Sequence, residues 1–287
     1  MTVQEPATLS RWISKLLIGM AIAAVAVLVA GQAKKSETMI TDGQTEIKGQ
    51  VAALQALSTR RIYFGHQSVG ADIVKGIREI TGEEQPARLH IVTAAEPAAF
   101  GRPVFAHSRI GENGNPDSKI DQFSAIIRGG VGNRADTALF KLCYIDIVAG
   151  TDVQKIFSHY KETMSQLKKA YPGTRFVHVT VPLTTLQTGP KAWIKLALGR
   201  PVSGYPDNSA RSAYNELVRK EYAGREPIFD LAKIESTFPD GKRSSFLENG
   251  LDIDTLVPAY TTDGGHLNEL GRRRAAQELL HVLEGLK

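Results

Sequence analysis

The sequence predicts one three-layer α/β/α domain built on a parallel sheet of about five strands, and three observations lead to it. β-rich runs alternate with stretches of helical period from Arg60 onward. One run, at 138–147, is apolar apart from Lys141 and Asp146, as a strand buried on both faces would be. About 250 of the 287 residues remain once an apolar N-terminal segment is set aside, enough for one large core.

The elements follow in order. Ile47, Val51 and Leu54 recur at helical spacing, predicting a short amphipathic helix that ends near Ser58. A first strand at 61–64 runs into Gly65-His66-Gln67-Ser68-Val69-Gly70, and a helical pattern continues to Ile80. Residues 89–92 read as a second strand, and Ile120, Phe123 and Ile127 mark a helix over 117–128. The apolar run at 138–147 is the next strand, and a long helix then stops at Tyr171-Pro172-Gly173. A strand at 175–181 is ended by Pro182. After a Pro- and Gly-containing excursion over 183–209, a helix spans 212–222, a last strand lies at 228–231 and a terminal helix at 267–286.

In sheets of this kind ligands gather at the carboxyl ends of the strands. That rule singles out Ser68, the 109–116 loop, Asp146, Pro182-Leu183-Thr184 and the loop before the terminal helix.

The N-terminus has its own chemistry. Arg11 and Lys15 precede an apolar run from Leu16 to Ala30, followed by Gly31-Gln32-Ala33. This is the order of a secretory signal, with Gly31-x-Ala33 as a cleavage site, or of a transmembrane signal anchor. Residues 1–35 are therefore expected to be a signal peptide or membrane anchor, 36–58 a linker with the short helix, and 59–287 the catalytic-type domain. Positive charge ahead of the run favours an exported domain, periplasmic or anchored at the inner membrane.

Charge excludes one class of partner. The net charge is +5, and the first 35 residues hold +3 of it through Arg11, Lys15, Lys34 and Lys35 against Glu5. The rest carries about +2 with no long basic run, so nucleic-acid binding is not expected. Cys143 is the one cysteine, which rules out an internal disulfide and a cysteine zinc site; it reads as a buried core residue. No His-Glu-x-x-His motif is present, and no metal is expected. Gly65 and Gly70 have P-loop spacing, but Ala71-Asp72 replaces the required Lys-Ser/Thr, and no Gly-x-Gly-x-x-Gly follows the first strand. No cofactor is expected.

Two segments carry candidate chemistry. Ser68 sits between the first strand and its helix, where backbone N–H groups can stabilise an oxyanion; a plain helix cap is the alternative. In Thr262-Asp263-Gly264-Gly265-His266-Leu267-Asn268, Asp263 and His266 are three apart and can meet at one strand-end site. There the histidine can take a serine proton while the carboxylate orients its ring. The alternative is an Asp-Gly-Gly turn beside a surface histidine.

Over roughly residues 60–287 the chain resembles the SGNH/GDSL hydrolases: a serine after the first strand, Asp263-x-x-His266 before the last helix, and β/α alternation between them. Gly65-His66-Gln67-Ser68-Val69-Gly70 lacks the Asp of the Gly-Asp-Ser-Leu block and is closer to His-His-Ser variants. The resemblance implies a flavodoxin-like parallel sheet, Ser68 as nucleophile, and Asp263 and His266 as its acid–base partners. It also implies an oxyanion hole from Ser68 and Gly114, with Gly111 as the alternative glycine and Asn113 as a further donor. The family's third block departs here: Cys143-Tyr144-Ile145-Asp146 has Ile145 in place of the oxyanion-binding Asn, leaving Asn113, Gln67 or Tyr144 to replace it. The implied activity is a serine esterase or O-acyl (acetyl) transferase acting on a small-molecule or carbohydrate ester, with acylated envelope carbohydrate favoured by export and by Trp193. The alternative is a catalytically degenerate glycan-binding or envelope-assembly protein.

Overall fold

The computed structural model describes residues 54–82, 89–198 and 202–286. The expected signal or anchor at 1–35, and the linker and helix at 36–58 up to Leu54, lie outside the described residues. Residues 54–57 are helical, with Leu54 and Leu57 buried. Among the described residues no helix is long and apolar enough to cross a membrane.

Pleating assigns the layers. In β1 (Arg61–His66), Ile62 and Phe64 point into one apolar core and Tyr63 into the other, as a period of two requires. The first core packs β1 against α1 (Val69–Thr81) and the terminal helix. The second receives Val104 and Ala106 of β3 (Val104–Arg109) and Ala138 and Phe140 of β4 (Thr137–Phe140). With β2 (Ile91–Thr93), β5 (Arg175–Val179) and β6 (Ile228–Phe229), the sheet has six strands in the order β2-β3-β1-β4-β5-β6, all parallel.

Helix α1 leaves β1 toward one face. Helices α2 (Pro116–Arg128), α3 (Val153–Ala170) and α5 (Tyr205–Tyr222) cover the other. The chain therefore diverges at the carboxyl end of β1, opening a crevice between β1 and its neighbours β3 and β4. Helix α6 (Leu231–Glu235) and the terminal helix α7 (Glu269–Glu284) complete the first layer, and α7 starts where Asn268 caps the Gly271 amide at 3.0 Å.

The expected parallel α/β architecture holds, with three differences of detail. The sheet has six strands because Val104–Arg109 pairs between β1 and β2. The apolar run at 138–147 is not one strand: it leaves the sheet after Phe140, and Asp146 folds back to accept the Cys143 amide at 2.5 Å, forming a 3-10 turn over Tyr144–Asp146. The excursion at 183–209 contains α4 (Pro190–Ala197). An antiparallel hairpin of β7 (Ser245–Glu248) and β8 (Leu251–Asp254) also lies outside the main sheet.

Candidate active site

Ser68 follows the end of β1 and holds an uncommon backbone conformation, φ 50° and ψ −119°. A non-glycine residue there is strained, and such strain persists only where the surroundings impose it. The turn is tight enough that a Cβ on Gly70 would fall 2.3 Å from the His66 Cβ, so glycine is required. Ser68 stands at the N-cap of α1, yet its side chain makes no capping hydrogen bond. Its hydroxyl instead meets the His266 Nε2 at 2.7 Å. On the other side of the ring, His266 Nδ1 meets Asp263 Oδ2 at 2.7 Å. The three residues, 198 positions apart at the extremes, thus form one hydrogen-bonded chain.

Asp263 is held for this geometry. Its Oδ1 accepts the Gly265 amide at 2.9 Å and the His266 amide at 2.8 Å. Partial burial pushes its pKa up, but those amides and the His266 ring outweigh it and keep the carboxyl well below the usual carboxylate range. An ionised Asp263 accepts only, so His266 Nδ1 carries the proton and Nε2 presents a lone pair to the Ser68 hydroxyl. Asp72 of α1 anchors the same segment by accepting the Leu267 amide at 3.1 Å. The side chains of His266 and Asp263 are 46% and 54% exposed, so water reaches the site.

The oxyanion side differs from expectation. The Gly114 amide donates to Asp146 Oδ1 at 2.8 Å and so is engaged away from a reacting carbonyl. Gly111, the alternative, donates its amide to Gln122 Oε1 and is glycine for packing, since a Cβ there would meet Lys119 Cγ at 2.5 Å. Gln67 is also committed, its amide nitrogen donating to the carbonyls of Ile110 and Gly111. Ile145 is exposed and has no donor.

Three donors remain. Among the described residues the Ser68 amide makes no hydrogen bond. Asn113 uses Oδ1 to accept from Lys119 Nζ at 3.1 Å, leaving its Nδ2 unpaired on an exposed loop. The third is the hydroxyl of Tyr144, whose ring lies edge-on to His266 with the ring centres 5.8 Å apart.

One buried ion pair organises this loop. Lys119 Nζ sits 2.5 Å from Asp146 Oδ2, both side chains fully buried. Lys119 also holds Asn113, and Asp146 holds the Gly114 and Cys143 amides. The 113–115 loop and the first turn of α2 are thereby tied to the turn that carries Tyr144. Sequence reasoning named Asp146 as a strand-end residue, but nothing in the sequence paired it with Lys119.

Below Ser68, His66 Nε2 and His107 Nδ1 share a hydrogen bond of 3.0 Å. Burial pushes His66 down to about 3, with His107, Lys141 and Arg109 adding repulsion. Burial and Arg78 push His107 to about 4. Both rings are neutral in the folded state at pH 7, while the unfolded chain takes up a proton at each near pH 6.5. The folded pKa values are depressed, so stability is complete above about pH 6.5 and falls as the pH drops toward 4. The expected slope approaches about 1.4 kcal/mol per pH unit for each histidine. Thermal melts of wild type and His107→Gln between pH 7 and 4.5 check it, the variant having the shallower dependence.

Comparison with solved structures gives likenesses of fold. A lipase/acylhydrolase from Enterococcus faecalis shares 13% identity over 79% of this chain and 96% of its own, at a TM-score of 0.43. A GDSL-like lipase from Bacteroides thetaiotaomicron shares 9% over 79% and 86%, at 0.45. The periplasmic domain of a lipopolysaccharide acetyltransferase from Salmonella ser. Paratyphi A shares 14% over 79% and 84%, at 0.43. At these identities and scores the likenesses carry no activity over to this chain. No protein-family model matches the chain, and no curated protein matches it.

Proposed function

We propose that this protein is a serine ester hydrolase or O-acyl transferase with Ser68 as nucleophile. One observation carries the reading: the unbroken hydrogen-bond chain from Asp263 through His266 to Ser68. In the forward step the Ser68 Oγ bonds to the ester carbonyl carbon while its proton passes to His266 Nε2. The tetrahedral oxyanion forms within reach of the Ser68 amide. Collapse breaks the ester C–O bond, and the departing alkoxide takes the proton from His266. Water, or an acceptor alcohol, then repeats the sequence on the acyl-serine with His266 as base.

The Tyr144 hydroxyl is the second oxyanion donor in this scheme, filling the role that Ile145 cannot. Tyr144→Phe is expected to lower kcat about 100-fold with KM little changed, the usual cost of one oxyanion donor. Initial rates on p-nitrophenyl acetate check it.

The open site favours hydrolysis over transfer. The charged and apolar order of residues 1–33 supports export, to the periplasm or to the inner-membrane surface. Substrates then fall among small or carbohydrate esters, including acylated envelope glycans. The Trp193 indole, which favours a sugar face, lies outside the described side chains. The exposed Ile145 favours a second reading, a binding protein that has lost turnover. Intact-mass spectrometry separates the two. An acetyl adduct on Ser68 after mixing the chain with p-nitrophenyl acetate supports the enzyme, and no adduct at any mixing time supports the binder.

A further inference from the structure

Arg211 of α5 is 2% exposed, yet no carboxylate lies within ion-pair distance of it among the described residues. Its partners are all neutral acceptors. Nε donates to the Tyr144 carbonyl at 2.9 Å and the Ile147 carbonyl at 3.1 Å, and Nη1 donates to Thr184 Oγ1 and Asn208 Oδ1, each at 2.8 Å. Nη2 makes no hydrogen bond among the described residues, and it is not among the polar atoms sealed from solvent without a partner. It therefore reaches the space in front of it.

That space is a cleft of about 450 Å³ bordered by Arg211, Tyr144, Thr184, Thr185, Asp207 and Gly265. Asp263 borders it too, so the cleft adjoins the Ser68–His266–Asp263 chain. The guanidinium carbon stands 5.7 Å from the centre of the Tyr144 ring, which itself lies edge-on to His266. Neither acidic residue of the cleft pairs with Arg211: Asp207 accepts the Ala149 amide at 3.0 Å and stays beyond ion-pair distance, and Asp263 is held by His266.

A buried cation without a counter-ion costs free energy unless something neutralises it. Neutral acceptors satisfy hydrogen bonds but leave the charge. Burial lowers the Arg211 pKa to about 10, with Asp207, Glu235 and Tyr144 acting in the opposite direction; the side chain remains a cation at pH 7. Glu235, the other acid in this region, is pushed up to about 8 by burial, accepts the Leu183 amide at 2.6 Å and makes no ion pair with Arg211.

We infer that Arg211 is the anion-recognition residue of this cleft, and that the preferred substrate is an ester whose acyl part carries a carboxylate. The carboxylate would accept from Nη2 and supply the missing negative charge, a charge-assisted contact in a nearly dry setting. The inference rests on the serine-hydrolase reading for its catalytic consequence. The binding of an anion does not depend on turnover.

Two esters with one leaving group and one acyl length read it: p-nitrophenyl hemisuccinate, ending in a carboxylate, and p-nitrophenyl butyrate, ending in a methyl. The full chain is expected to show a kcat/KM about tenfold or more higher on the hemisuccinate. In Arg211→Gln the hemisuccinate-to-butyrate ratio is expected to fall about 30-fold, and in Arg211→Lys to be partly retained. A role limited to bracing the 144–147 turn would lower both rates and leave the ratio unchanged, which overturns the inference; so does a wild-type preference for butyrate. Because either variant can misfold, calorimetry on Ser68→Ala supplies an independent arm. Monomethyl succinate is expected to bind and dimethyl succinate to bind at least tenfold more weakly. Equal binding, or none by either, overturns the anion site. If neither ester is turned over while monomethyl succinate still binds, the hydrolase reading fails and the anion site stands.

Discussion

Ser68→Ala is expected to lower kcat on p-nitrophenyl acetate by about 10⁴-fold or more, to a rate shared with His266→Ala and with the double variant. The expectation follows from the geometry. Ser68 Oγ is the one hydroxyl in contact with His266 Nε2 among the described residues, so no neighbouring oxygen can take over the attack. Residues that act as one chain are non-additive: once the nucleophile is gone, a base has nothing to activate. Asp263→Asn is expected to cost a comparable factor by a different route. The amide can donate to Nδ1 and favour the wrong tautomer, placing the proton on Nε2 where Ser68 needs a lone pair. Steady-state rates on the wild type and the four variants check this, and an additive double variant would show that Ser68 and His266 do not act together.

Lys119→Met is expected to be the most destabilising single substitution outside the apolar core, by about 3–5 kcal/mol. The cost is not the loss of one attraction. Asp146 would remain, fully buried, with a charge that only the Gly114 and Cys143 amides address. At this domain size each kcal/mol shifts the melting temperature by about 2–4 °C, so a fall of roughly 10 °C is expected. Adding Asp146→Leu removes the orphaned charge but strands both amides, so the double variant is expected to recover only part of the loss. Calorimetric melts of the three proteins measure it. Full recovery would mean that the stranded amides matter little and that the whole cost of Lys119→Met is the orphaned Asp146 charge.

The legible parts of this molecule share a property: their signals are local. Gly65 and Gly70 bracket Ser68, Asp263-Gly264-Gly265-His266 is a compact turn, and Asn268 caps α7. Each announces a strand end or helix start within a few residues. What was hidden depends on partners far along the chain. Strand β3 ends in His107-Ser108-Arg109, which reads as loop. Its polar groups are satisfied at a distance, Ser108 by Tyr63 at 2.7 Å and His107 by His66. Gly114 fits an oxyanion role by its place in a turn, but the carboxylate that claims its amide is 32 residues away. Arg211 stands just ahead of the helix expected at 212–222 and gives no signal until Thr184 and the 144–147 turn close over it. A serine, a histidine and an aspartate can be matched to a pattern; which amides are still free cannot.

The most direct measurement is reaction of the full chain with a labelled fluorophosphonate, with the adduct located by peptide mass mapping. Phosphonylation needs a serine whose proton can leave to a base. The expected result is a single adduct on Ser68 in the wild type, slowed at least 100-fold in His266→Ala. An adduct on another residue, or one that forms on Ser68 equally fast without His266, contradicts the account.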